Sequence, residues 1–384
     1  VLYDIRLNRF FLSQAMYRPQ RRCLISADYL DSVRRVLTCN GSMSHGSMPE
    51  GALGGDYESL RREAAVGPWI YDAVDDDWMD CRPHGAQWKP RSFAPVAYEP
   101  SSDLLACLGT ADLMLYRPWT NQVFFRPLPE ALRNRGGYAI AADPVNRVLV
   151  VFGGVDRDVK RQGPSPDEAH RRSVKTDTWV YDIATDTWRQ CKPKTSPPRG
   201  MPMNGSINLS MTYHDPSGTC LLLQPNIDTD QADPAKWGGT TLWSFDVASD
   251  EWTKVETKNA PLVHGLLEYA PQEDALVLIG GGLDGVFDDE RTNASPALSR
   301  LVQVCRPKVS GRKVHPPVSQ PARITVEAAS GGARIRWTAE SRIQYEVFRA
   351  EADPLVGAYE KVTAKPVIGG GFAGLSAAYH LGKA

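Results

Sequence analysis

Three stretches of the chain share one spacing. In WIYDAVDDDWMDCRP (69–83), WVYDIATDTWRQCKP (179–193) and WSFDVASDEWTKVET (243–257) an aromatic–Asp pair is followed by a tryptophan seven residues after the aromatic. The pairs are Tyr71 and Trp78, Tyr181 and Trp188, Phe245 and Trp252. Two weaker copies keep the interval: VLYDIRLNRFF sets Phe10 seven after Tyr3, and LMLYRPWTNQVFF sets Val123 seven after Tyr116 but lacks the Asp. The unit reads as a β-hairpin. Side chains alternate across a strand with period two, so Trp179 and Tyr181 share a face. The Asp and the short polar residues after it make the turn. The second aromatic opens the return strand, and a Pro often stops it.

A second pattern precedes most of these hairpins. AYEPSSDLLACLG, AADPVNRVLVVFGG, TYHDPSGTCLLLQP and EYAPQEDALVLIGG each give a strand, a Pro-centred turn and a continuous apolar strand; DYLDSVRRVLTCNG is a looser fifth. A strand apolar at every position is one buried on both faces. Two copies end in Gly-Gly, Gly153–Gly154 and Gly280–Gly281, where close backbone approach is expected. Two hairpins make a four-stranded sheet, and repeated sheets of this kind close radially into a β-propeller. The fold class expected is therefore all-β, with about five to six four-stranded blades over residues 1–307 and an incomplete N-terminal one. The apolar strand ending in Gly-Gly, then Tyr-Asp, then Trp, resembles the kelch repeat. Several copies lack the double Gly, and the last, ALSRLVQVCRP, has lost both aromatic and Trp. The ring closure usual in that family, by pairing of the chain ends, is therefore expected to be incomplete.

Composition narrows the function classes. A chain of 384 residues suggests two or three domains, and 42% hydrophobic with 9% aromatic residues supports packed cores. A net charge of −1 gives no basic footprint for nucleic acid. No apolar run approaches the ~18 residues of a membrane span. The seven cysteines make no CxxC or Cys/His cluster of zinc spacing and read as small buried hydrophobes. The chain opens on Val1 with no charged and apolar leader, and VLYDI reads as the middle of a domain; truncation at both ends is the expectation.

Binding candidates fall in the connections between second and third strands, which leave the sheet on the same face as the blade-to-blade links. These are long: 155–176, 225–239, 283–296 and most of 41–67. The first carries Arg157, Lys160, Arg161, Arg171, Arg172 and Lys175 beside Asp156, Asp158, Asp167 and Glu168. It reads either as a solvated loop or as a partner-binding surface. Trp237, flanked by Gly in a polar loop, is the single residue best suited to an exposed contact, with packing on its own blade the alternative. A resemblance to copper radical oxidases similar to galactose oxidase would imply tyrosine and histidine ligands, including an adjacent Tyr-His. Tyr213-His214 is such a pair, but it sits in a repeat element whose sister positions are Tyr98-Glu99 and Tyr269-Ala270, so His214 reads as a turn-flanking residue. No catalytic residues and no metal ligands are assigned.

Residues 308–321 are Pro-rich and basic and read as a linker. From 322 on, RITVEA, ARIRWTA and IQYEVFRA are short alternating strands, with Trp337 on the second. They resemble the start of a fibronectin type III domain, here partial over 322–384. The end of the chain, VIGGGFAGLSAAYHL, admits two readings. One is the GxGxxG turn of a flavin-binding domain, with Gly369, Gly371 and Gly374, similar to amine-oxidase-type oxidoreductases. It implies FAD, bound by a catalytic domain lying beyond Ala384, since the acidic ribose ligand expected about 20 residues further on has no place in this chain. The other continues the sandwich, with AAYHLGKA as a strand. Between them the expected function is a non-catalytic module that binds a protein or carbohydrate through the propeller loops, with no cofactor in this chain. The alternatives are the front part of a flavin-dependent oxidoreductase and a copper radical oxidase. An exported location, secreted or periplasmic, accompanies the binding reading.

Overall fold

A computed structural model describes residues 2–4, 9–11, 14–15, 26–40, 67–89, 94–160, 173–198, 209–225, 240–257, 266–279, 302–307 and 309, with short strands between 322 and 379. The protein is all-β, and five small sheets are arranged as a five-bladed propeller. A two-stranded hairpin, β1 (Leu2–Asp4) with β2 (Arg9–Phe11), precedes the blades. Blade one is β3 (Ser26–Leu30), β4 (Arg35–Cys39), β5 (Trp69–Asp72) and β6 (Asp77–Asp80), in that order across the sheet. Blade two gains an outer strand: β7 (His84–Gly85) lies parallel to β11 (Gln122–Pro127), followed inward by β10 (Asp112–Arg117), β9 (Leu104–Leu108) and β8 (Ala97–Glu99). Blade three holds β12 (Arg135–Gly136), β13 (Ala139–Asp143), β14 (Val148–Asp156), β15 (Val174–Asp182) and β16 (Thr187–Gln190); β12 and β13 both pair with β14. Blade four is β17 (Ser210–His214), β18 (Thr219–Pro225), β19 (Thr240–Asp246) and β20 (Glu251–Val255). Blade five has three described strands, β21 (Leu266–Ala270), β22 (Ala275–Ile279) and β23 (Val302–Cys305).

The seven-residue interval fixes the hairpin register. Tyr71 stands opposite Trp78, Tyr181 opposite Trp188 and Phe245 opposite Trp252, each across a four-residue turn. The weaker copies keep that register, Tyr3 with Phe10 and Tyr116 with Val123. In the three strong copies the rings lie 4.9, 5.0 and 4.9 Å apart, tilted by 40–43°. Such pairs hold the outer half of the blade together.

Two second strands are enclosed as their composition demands: every residue of β9 is buried, as are Val148–Val155 of β14, whereas β4 is half-buried at three of its five residues. Where β14 ends, Gly153 and Gly154 have φ of +61° and +95° and form a bulge against β15. A Cβ on Gly154 would stand 2.9 Å from the Gly136 carbonyl oxygen. The apolar core runs between blades: one cluster joins blades one to three, another three and four, a third four and five.

The innermost strands β3, β8, β13, β17 and β21 follow one another round the axis. Asp28 of β3 accepts the Tyr98 N–H of β8 at 2.7 Å, and Ser210 of β17 exchanges hydrogen bonds with the Leu267 backbone of β21. Among the described residues no ladder joins blade five to blade one.

In the C-terminal part the described strands are β24 (Ala322–Ala329), β25 (Gly332–Thr338), β26 (Gln344–Tyr345), β27 (Phe348–Ala350), β28 (Tyr359–Lys361), β29 (Val367–Ile368) and β30 (Ala377–Tyr379). β25 lies between β24 and β30, β26 pairs with β29, and β27 with β28, all antiparallel. Residues 377–379, where a flavin fold would place helix, are extended. Gly369, Gly371 and Gly374 lie outside the described residues.

Candidate functional site

Most of the polar chemistry in the blades is committed to holding turns and neighbours. The last residue of each four-residue turn is left-handed: Arg34, Asp76, Asp103, Asn121, Arg147, Asp186, Gly218, Asp250 and Asp274 all have φ between 46° and 67°. Asp, Asn and Gly adopt this conformation at least cost. In five turns the residue also accepts the hydroxyl of the Tyr five positions before it: Tyr71 to Asp76, Tyr98 to Asp103, Tyr116 to Asn121, Tyr181 to Asp186 and Tyr269 to Asp274, at 2.6–3.0 Å. The Asp that follows the aromatic caps the turn: Asp72 accepts Val74 N–H, Asp182 accepts Thr185 N–H, Asp246 accepts Ala248 N–H. The second oxygen of the left-handed Asp then takes a donor from the preceding blade, Arg126 to Asp186 at 2.7 Å and Arg189 to Asp250 at 2.5 Å.

His214 and the cysteines are similarly absorbed. His214 is buried, its Nδ1 2.7 Å from Ser217 Oγ, and a hydroxyl chain continues through Thr219 to Ser244. Burial lowers its pKa, with Asp274 opposing. It flanks a turn, as its repeat position suggests. The Cys191 thiol is pushed up to about 12, chiefly by burial and also by Asp250, and Cys220 is raised by burial too, so neither is thiolate near neutrality. Among the described residues no group of three or more His, Cys, Asp or Glu side chains is placed to hold a metal ion.

Carboxylates of blades four and five interact with those of blade one. Glu268 of β21 interacts electrostatically with Asp28 of β3, and Asp215 with Asp31. Crowding by surrounding protein is the main cause that raises both Asp28 and Glu268 into the neutral range. Glu268 keeps access to solvent, so partial desolvation rather than full enclosure is at work.

A concave site does occur between blades two and three, on the face of the short turns. Its volume is about 270 Å³, and Leu104, Leu115, Phe124, Tyr181 and Ile183 form its apolar part. Three guanidinium side chains enter it: Arg117 from the end of β10, Arg126 from β11 and Arg147 from the turn after β13. Arg117 and Arg126 lie 5.6 and 5.3 Å from the Phe124 ring centre, and Arg147 donates to Ser102 Oγ at 3.2 Å. Asp186 is the carboxylate of the lining.

Of the sequence-derived candidates, Arg157 lies on the other face. Arg157 begins a four-residue helical turn after β14 and lays its guanidinium against Gly136, while its backbone N–H bonds to the Asn134 carbonyl. Arg161, Arg171, Arg172 and Trp237 lie outside the described residues, as do residues 161–172, 226–239 and 280–301 of the long connections. The arginine cleft was missed in sequence because its residues come from four separated segments. The local signals were Arg117 and Arg147, standing where most sister repeats have Asp or Gly.

A scan against protein-family models finds no match to the chain, and a search of curated proteins finds none.

Proposed function

We propose that this propeller is a non-catalytic binding module that recognises a protein or carbohydrate partner through the long connections on one face. The observation that carries this reading is where the reactive side chains go. The Tyr–Asp pairs, His214 and the buried cysteines serve turns and blade contacts. Variation between repeats falls instead in the second-to-third connections, the usual place for recognition on a rigid scaffold. The kelch resemblance supports the same reading.

The test is a glycan array and a displayed protein library probed with the intact chain, followed by two variants. One replaces Arg157, Arg161, Arg171 and Arg172 by Ser; the other is Trp237→Ala. A ligand recognised by these connections should weaken about tenfold or more in one variant with the thermal midpoint kept. Full affinity in both variants, or no ligand on either platform, would count against the reading.

A further inference from the structure

The blades act as internal controls for one another. At the end of the third strand the repeat carries Asp72, Asp182 and Asp246 in blades one, three and four, but arginine, Arg117 and Arg306, in blades two and five. At the left-handed end of the first turn it carries Asp103, Gly218 and Asp274 in blades two, four and five, but arginine, Arg34 and Arg147, in blades one and three. Arg117 and Arg147 stand where most sister positions carry a small or acidic residue, and both line one cleft. Arg147 also holds a backbone conformation that Asp or Gly would adopt more easily. The equivalent cleft between blades three and four has Asp182 and Gly218 at these two places, with Arg189 bonded to Asp250.

We propose that the cleft between blades two and three binds a small ligand through an oxyanion group, a phosphate or a carboxylate. Three guanidiniums face one resident carboxylate, Asp186, whose oxygens serve Tyr181 and Arg126. Asp103 stands behind Arg117, and its oxygens accept the Tyr98 hydroxyl and the Trp119 N–H. Counting both acids, the three arginines leave a surplus of one positive charge. Among the described residues Arg117 and Arg147 make no ion pair, so their donors remain for a ligand. They are also held in place, Arg117 beside Phe124 and Arg147 on Ser102. Donors fixed in advance lose little entropy on binding, and guanidinium forks match phosphate and carboxylate oxygens. The apolar lining lowers the local dielectric and strengthens each charge contact. The volume admits an anion with a carrier of about one sugar ring. The site lies on the opposite face from Arg157 and stands independently of the connections invoked above.

The experiment is titration calorimetry on the full chain at low salt with inorganic phosphate, glucose 6-phosphate, glucuronate and glucose. Saturable binding of at least one anionic probe, with none for glucose, is the expected result. Preference for the phosphate probes or for glucuronate identifies which oxyanion is used. Arg117→Gln and Arg147→Asn should each weaken binding about tenfold. Asp186→Asn should tighten it several-fold by removing the competing charge. Asn is accepted there, because Asn121 plays the same part under Tyr116. Arg189→Gln, in the neighbouring cleft, should change nothing. The proposal is overturned if no anion binds below about 10 mM, or if binding is indifferent to Arg117→Gln and Arg147→Asn in proteins of unaltered thermal midpoint.

Discussion

Asp76 and Asp186 each use two oxygens for two different jobs. One oxygen accepts the hydroxyl of the blade's own tyrosine, and the other receives a donor from the preceding element, Gln14 N–H or Arg126. A single residue thus closes a turn and locates its neighbour. Tyr71→Phe removes one hydrogen bond and should lower stability by about 1 kcal/mol, read from the denaturant midpoint. The ring contact to Trp78 should survive, since Phe245 makes the same contact with Trp252. Asp28 and Glu268 make a pH argument at this scale. Their folded pKa values are raised, so between the ordinary carboxylate range and neutrality the folded state holds more protons than the unfolded one. Stability from this pair is therefore complete at acid pH and lost as pH rises through neutrality. Glu268→Gln should flatten that decline, measured as thermal midpoint against pH; an unchanged slope would refute the assignment.

Among the elements, hairpins differ in how much they carry, although the spacing is constant. Trp252 is buried; its indole N–H reaches Thr178 of the preceding sheet at 2.9 Å, and its ring meets Phe152 edge-on at 5.2 Å. Trp188 is only partly buried, and its indole nitrogen has no hydrogen-bond partner among the described residues. Trp252→Ala should then cost about 3–5 kcal/mol, and Trp188→Ala less than half of that. Chemical denaturation of the two variants side by side checks the order. Gly154→Ala tests the bulge: a side chain at positive φ, pressed on the Gly136 carbonyl, should cost about 1–2 kcal/mol or more.

Over the whole molecule the ring is not equally strong all round. Apolar clusters weld blades one to three, three to four, and four to five, but among the described residues none joins blade five to blade one. Across that seam Glu268 of blade five instead meets Asp28 of blade one as an interacting carboxylate pair. Native-state hydrogen exchange should find amides of β21 and β22 opening at lower free energy than those of β14 and β15. Equal protection across the blades would show that the seam is closed by other contacts.

Hairpin register, the doubly buried second strands and the all-β class were legible in the chain. They depend on local spacing: a strand has period two, a four-residue turn is short, and Tyr71, Tyr181 and Phe245 each meet a tryptophan seven positions on. The Gly153–Gly154 pair announced a close approach for the same local reason. What needed the fold was everything set by contact between blades. Asp186 looks like one more turn residue until Arg126 from the previous sheet reaches it. Arg117 and Arg147 lie thirty residues apart, and each alone is a blemish in a repeat. Only the packing of blade two against blade three makes them one site, because shape and charge in a cleft are properties of two surfaces and not of either strand.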